Sequence, residues 1–141
     1  MPKATEETYR KLRHFSIKEN WGDPFKMEED ILFRLDDFRH YVGKPVIVHC
    51  GYGTDGHVEN SQHYVGKAVD IHVVNMELID QYLAAERFGF TGLGLYPFWT
   101  NPGMHLDLRI LSPGQPAARW YTWSDGKYYS ADKRLFNYIS K

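Results

Sequence analysis

The strongest periodic signal in the chain runs from Met27 to Tyr41, where Ile31, Leu35, Phe38 and Val42 recur in steps of four, three and four. That spacing lays one apolar stripe along a helix, and Glu28, Glu29 and Asp30 put negative charge in its first turn, where the helix dipole favours it. Gly43 ends it. A shorter helix is expected over Thr5–Leu12, followed by an irregular segment, Phe15–Phe25, that holds Asn20, Gly22, Asp23 and Pro24. Pro45–His49 is a β-branched run and reads as a buried strand, and the glycine-rich Gly51–Gln62 is a loop too long for a plain hairpin. Lys67–Val74 is the next strand, and Met76–Phe88 is an amphipathic helix through Leu78, Ile79, Tyr82 and Leu83, closed by Gly89. Thr91–Tyr96, Met104–Ile110 and Ala118–Trp123 complete the strand candidates, and Ala131–Ile139 is a closing helix. Helices and strands mix without regular alternation, so the expected class is α+β: a small antiparallel sheet with flanking helices. No repeat, linker or low-complexity tract divides residues 1–141, which are expected to form one domain.

Two strands alternate in a way that separates core from chemistry. In Met104–Ile110, Met104, Leu106, Leu108 and Ile110 share one face, and His105, Asp107 and Arg109 share the other at intervals of about 7 Å. An exposed face with an Asp107–Arg109 ion pair is the ordinary reading of that strand. In Lys67–Val74, Val69, Ile71 and Val73 alternate with Ala68, Asp70 and His72. Upstream, His63 ends the glycine-rich loop, and Gly66 lets the chain turn from it into the strand. A histidine and an aspartate so placed, joined by a ligand from a distant strand, would leave a fourth position for water, as in a catalytic zinc site.

Composition narrows the partners. The 141 residues suit one core, and 17 Lys+Arg against 18 Asp+Glu lack the basic excess that phosphate backbones demand, so no nucleic-acid partner is expected. No apolar run is long enough to span a bilayer, and Met1–Arg13 is polar, so neither a membrane span nor a signal peptide is expected in this chain; the compartment stays open. With one cysteine, Cys50, there is no internal disulfide, and the thiol reads as a buried strand-end group rather than a nucleophile. Aromatic residues at 16% suit a filled core or a groove for carbohydrate or peptide. Three of the seven histidines, His49, His57 and His63, lie close together in the sequence.

The run Ser61-Gln62-His63-Tyr64-Val65-Gly66-Lys67-Ala68-Val69-Asp70 resembles the S-x-H-x-x-G-x-A-x-D signature of the zinc D-alanyl-D-alanine peptidases, which share a fold with the hedgehog signalling domain. Gly92-Leu93-Gly94-Leu95-Tyr96, followed by His105-Leu106-Asp107, is similar to the G-x-G-x-Y and H-x-D segments of that group, and Arg119-Trp120 to its usual ending. The similarity extends from about His14 to Trp120, with Phe15-Ser16 and Gly43-Lys44-Pro45 included. It implies a zinc ion on His63, Asp70 and His105, a metal-activated water, and hydrolysis of a peptide bond in peptidoglycan stem peptides. Ser61, Arg109 and Tyr96 are the expected substrate contacts, and the protein is expected to be a monomer.

Two departures from the family pattern qualify that activity. Carboxypeptidase relatives carry S-G-Y-R after the first strand, the arginine gripping the substrate carboxylate, where this chain has His49-Cys50-Gly51-Tyr52-Gly53. The difference favours an endopeptidase, or a substrate end held by Arg109 or Lys67. Several relatives place an acid three residues before the last zinc histidine as general base, and here that position is Pro102. Asp107 is the candidate base, with orientation of a ligand histidine or pairing with Arg109 as its alternative role. His57 is expected to be solvated, His49 and His72 to be hydrogen-bonded structural histidines, and Tyr96 and Trp99 to line a groove or pack. The rival to the hydrolase is a zinc-bearing binding module on the same fold that has lost catalysis.

Overall fold

The structure is a computed structural model that describes residues 2–141. Helix α1 (Glu6–Lys11) starts from a reciprocal capping pair between Thr5 and Thr8, and α2 (Glu29–Val42) stops at Gly43, whose φ of 66° is the left-handed cap that glycine adopts without steric cost. Strand β1 (Val46–Cys50) leads into the long loop, a 3-10 turn at Gln62–Val65 and β2 (Ala68–Val73). Then come α3 (Leu78–Ala85), prolonged by a 3-10 turn at Glu86–Phe88, β3 (Gly92–Tyr96), β4 (Gly103–Asp107), β5 (Ala118–Thr122), β6 (Tyr128–Ser130) and α4 (Lys133–Ile139).

The six strands of the described residues form one sheet in the order β1-β2-β4-β3-β5-β6. It is mixed rather than antiparallel as expected, because β5 runs parallel to β3, with Gly92 opposite Ala118. Since β4 fills one side of β3 and the chain reverses again after β4, β5 meets the other edge of β3 running in the same direction. The short β6 pairs antiparallel with β5 through a turn at Asp125-Gly126 and was not anticipated by the hydrophobic pattern.

One apolar cluster unites Ile31, Leu32, Leu35 and Phe38 of α2 with alternate residues of the sheet, among them Val48, Ile71, Leu93, Leu95, Met104 and Leu106. Helices therefore cover one face, and the intervening residues Asp70, His105 and Asp107 belong to the other. The expected strand over Met104–Ile110 ends at Asp107, and Ile110 is 84% exposed rather than core, because the chain leaves the sheet after Asp107. In α3 the inward stripe is also displaced. Gln81 is buried, accepting from Val73 N–H and donating to the carbonyls of Met76 and Pro102, while Leu83 is exposed. Three backbone groups that need partners orient the helix against the simple apolar count.

The irregular segment before α2 positions the loop that carries the chemistry. Trp21 is fully buried, its indole N–H donates to the Ser16 carbonyl, and its own carbonyl accepts from Tyr52 N–H at 2.7 Å. At the loop's other end, Glu28 N–H donates to the Gly66 carbonyl at 2.9 Å. Gly66 has φ +73°, and a Cβ there would stand 1.9 Å from the Lys26 carbonyl oxygen. Gly66→Ala is expected to cost about 1–3 kcal/mol from backbone strain, and more from that contact. At about 2–4 °C per kcal/mol, calorimetry should show a clear fall in Tm, and an unchanged Tm would contradict this account.

Candidate metal centre

The antiparallel register of β2 on β4 puts Asp70 opposite His105. His63 arrives from the 3-10 turn, where Ser61 Oγ accepts its backbone N–H at 3.2 Å. Three donor atoms then converge: Asp70 Oδ1 lies 3.2 Å from His63 Nε2 and 3.0 Å from His105 Nδ1. His63 and His105 are buried, and Asp70 is partly open to a cleft.

The outer nitrogens of the two rings decide what the inner ones present. His63 Nδ1 lies 2.7 Å from the Gly51 carbonyl, which can only accept, so that nitrogen carries the proton and Nε2 turns a lone pair toward Asp70. His105 Nε2 lies 2.7 Å from Asp107 Oδ2 and donates to it, leaving the Nδ1 lone pair facing Asp70 as well. Two lone pairs and a carboxylate oxygen within hydrogen-bond distance repel one another unless a cation stands among them. The donor set fits a divalent metal: two neutral imidazoles and a carboxylate, each ring oriented through its far nitrogen.

With no metal, a proton takes that role. Burial alone would lower the pKa of His105, but hydrogen bonds to Asp107 and Asp70, with their negative charges, outweigh it and raise it from 6.5 to about 8. Burial also opposes ionisation of Asp70 and Asp107, yet the hydrogen bond and charge of a protonated His105 on the first, and hydrogen bonds from His105 and Arg109 to the second, hold both carboxyls far below the usual range. Both aspartates are therefore anionic at neutral pH.

Asp107 is fully buried and lies behind His105, away from Asp70. It accepts from Arg109 through backbone N–H, Nε and Nη2, the last at 2.6 Å. The sequence-level view of an exposed Asp107 is corrected here: the Arg109 guanidinium closes over the carboxylate and stacks on Trp120, 4.9 Å from its centroid. The glycine motif supplies the room. A Cβ on Gly92 would stand 2.1 Å from Asp107 Oδ1, and one on Gly94 would stand 2.4 Å from Trp120 Nε1.

A cleft of about 690 Å³ opens over the site, with Ser61, Tyr96 and Arg109 on its walls beside His57, Trp120 and Tyr128. The expected substrate contacts thus share one cavity with His63, Asp70 and His105. Sequence reasoning placed His57 in solvent, whereas its ring stacks on His63 with centroids 4.1 Å apart. It also overlooked Trp120 and Tyr128 as cleft residues, since they come from β5 and β6 and only sheet order brings them near. His49 and His72 pair at 2.7 Å, and His49 lines a smaller hollow together with Trp99 and Asp70. Burial and the Asp70 charge push the Cys50 thiol up to about 12, in line with a protonated thiol rather than a nucleophile.

Two imidazoles and one carboxylate on an α+β scaffold, open toward a cleft, are the donor types of a metal centre with room for a further ligand. A sequence profile of the family Peptidase M15 matches residues 10–107, and the chain belongs to that family, whose peptidases are metal-dependent. The matched span contains His63, Asp70, His105 and Asp107, and stops short of Arg109, Trp120 and Tyr128. No curated protein matches the chain.

Removing the charge behind His105 should weaken metal binding without destroying the site: Asp107→Asn is expected to raise the metal Kd by about 10–100-fold, read by competition with a chromophoric chelator. Were Asp107 the base instead, turnover would collapse at saturating metal with affinity intact. The metal-free protein should also lose stability as pH rises. A raised His105 pKa contributes stability fully present below pH 6.5 and lost as pH rises through about 8. Its Tm is expected to fall across that window, and a His105→Gln variant should show no such slope.

Proposed function

We propose that the protein is a zinc peptidase that cleaves a peptide bond in peptidoglycan stem peptides, on a fold of the hedgehog/DD-peptidase type. The observation that supports this reading best is the convergence of the His63 and His105 lone pairs on Asp70 Oδ1, with both outer ring nitrogens committed. A zinc ion held there supplies an acidified water and a Lewis acid for the scissile carbonyl.

The rest of the work belongs to the chain's own side chains. Asp107 positions His105 and keeps its Nδ1 unprotonated toward the ion. Arg109 commits Nε and Nη2 to Asp107, and as a residue of the cleft wall it keeps an amino group uncommitted with which to hold a substrate carboxylate. Tyr96 stays a phenol, because burial and the Asp70 charge push its pKa upward, so it offers a hydrogen-bond donor to a developing oxyanion. Trp120 and Tyr128 give the cleft apolar surface for a peptide. An opening this wide suits an internal bond as well as a terminal one, in keeping with the absence of the carboxypeptidase arginine after β1.

One observation favours the second reading, a zinc-bearing binding module without turnover. Asp107 is walled off, Pro102 occupies the position of the upstream acid, and the exposed Glu59 on the cleft wall is the remaining carboxylate near the site. Zinc-loaded protein is expected to generate new termini in purified stem peptides, detected by mass spectrometry. Chelation should abolish the reaction, zinc should restore it, and His63→Ala should reduce it to background. Folded, zinc-loaded protein that binds those peptides for hours without cutting them would leave the binding module standing.

A further inference from the structure

Asp70 borders two hollows. On one side is the cleft of about 690 Å³ that holds Tyr96 and Arg109, and on the other a hollow of about 320 Å³ lined by His49, Trp99, Thr100 and Asn101. The candidate metal centre therefore stands where the two meet. Alternation in β1 buries Val46 and Val48 and leaves His49 on the open face of the sheet, the face that also carries Asp70 and His105. His49 Nε2 lies 2.7 Å from His72 Nδ1, and the two rings stack with centroids 4.9 Å apart. Trp99 meets His49 edge-on at 5.7 Å and stacks on Tyr96 at 4.3 Å with an interplanar angle of 14°. Gly103 of β4 lies opposite Tyr96, and a Cβ there would stand 2.9 Å from His72 Cβ, so no side chain from β4 interrupts the row. Four rings thus run without a break from the small hollow to the cleft wall.

The two hollows differ in chemistry. The cleft carries the Arg109 guanidinium, whereas the small hollow has no lysine, no arginine and no carboxylate but Asp70 among its described lining residues. Trp99 gives it an apolar face, and the exposed Thr100 and Asn101 add a hydroxyl and an amide that can bond a peptide group. Pairing with His72 uses Nε2 of His49 and leaves Nδ1 for a ligand. Ligand pockets span about 300–1,000 Å³, so the hollow has room for a short, uncharged stretch of peptide with small side chains.

We propose that this hollow is the second arm of the substrate groove and that Trp99 and His49 are its specificity-determining contacts. The inference rests on the peptidase reading and deepens it by assigning the two sides of the substrate. The peptide crosses the metal centre at Asp70, with its carboxylate-bearing end in the cleft beside Arg109 and the neutral residues on the amino side of the scissile bond against Trp99 and His49. A groove with an arm on each side of the metal centre selects substrates that extend in both directions from the bond. Packing on the row of rings supplies binding that a peptide cut short on the amino side cannot reach.

The test compares an N-acetylated tripeptide from the carboxyl end of a stem peptide with the same peptide lengthened by two alanines at its amino end. Zinc-loaded protein is expected to cut the longer peptide with a kcat/KM about 10-fold higher, and the longer peptide alone should shift the Trp99 indole N–H signal in nitrogen-15 NMR spectra. Trp99→Ala should erase that advantage. Asn101→Trp, which adds bulk at an exposed position and fills the hollow, should erase it too while leaving zinc content and tripeptide turnover unchanged, so the test stands even where Trp99→Ala disturbs the fold. Equal kcat/KM for the two peptides, or an advantage that survives both substitutions, overturns the second arm and leaves the peptidase reading intact. If neither peptide is cut, the peptidase reading fails and the affinities decide the arm by themselves. Tighter binding of the longer peptide with the indole shift then sustains it, and equal or absent binding overturns it.

Discussion

The register of β2 on β4 is the constraint on which the site depends. Asp70 and His105 face each other because these two strands pair antiparallel in that register, and a slip of one residue would turn both side chains into the apolar layer under α2. Val69, Ile71, Met104 and Leu106 are fully buried on the opposite face, so hydrophobic burial holds the register while the polar face gains its geometry without added cost. The core and the strand-borne part of the candidate metal centre, Asp70 and His105, are two faces of the same four β-residue pairs, not separate features.

Space governs what stands behind the ligands. Gly92 and Gly94 lie opposite Asp107 and His105 in β3, and the absence of their side chains admits the Asp107 carboxylate and the Trp120 indole over the sheet. Arg109 then spans the two, ion-paired to one and stacked on the other, and this polar stack sets the proton of His105 on the nitrogen away from Asp70. A buried ion pair is seldom a source of net stability, since desolvation offsets much of the attraction. Here its effect is orientation of an imidazole, which matches the presence of so much charge beneath a cleft. On the other side, the segment anchored by Trp21 ties the long loop at both ends, so that His63 and His57 are presented by a connection without regular secondary structure.

Much of this was legible in the residues alone. The period of α2 and the alternation in β2 and β4 follow from local rules and agree with the elements formed, while the short motif around His63 and Asp70 was legible through its resemblance to a peptidase family. The parallel placement of β5 and the short β6 were not legible, because strand order depends on which sheet edge is free when the chain returns, and no local pattern records that. Trp120, Tyr128 and His57 were missed as cleft residues for the same reason: their spacing in sequence bears no relation to their approach in space. Alternation did predict that Asp107 leaves the apolar face, but it equated that face with solvent, and Arg109 covers it.

By itself, then, the sequence determined the types of most elements and their apolar faces, since these depend on side-chain periodicity, while His63, Asp70 and His105 stood out as candidate ligands through resemblance to a peptidase family. Only the tertiary structure decided that the His63 and His105 lone pairs meet at one oxygen of Asp70, that Asp107 stands behind His105 rather than in the cleft, and that Cys50 faces the other oxygen of the same carboxylate. Those outcomes turn on hydrogen-bond partners and excluded volume supplied by Gly51, Gly92 and Arg109, residues brought together by sheet order and loop anchoring rather than by nearness along the chain.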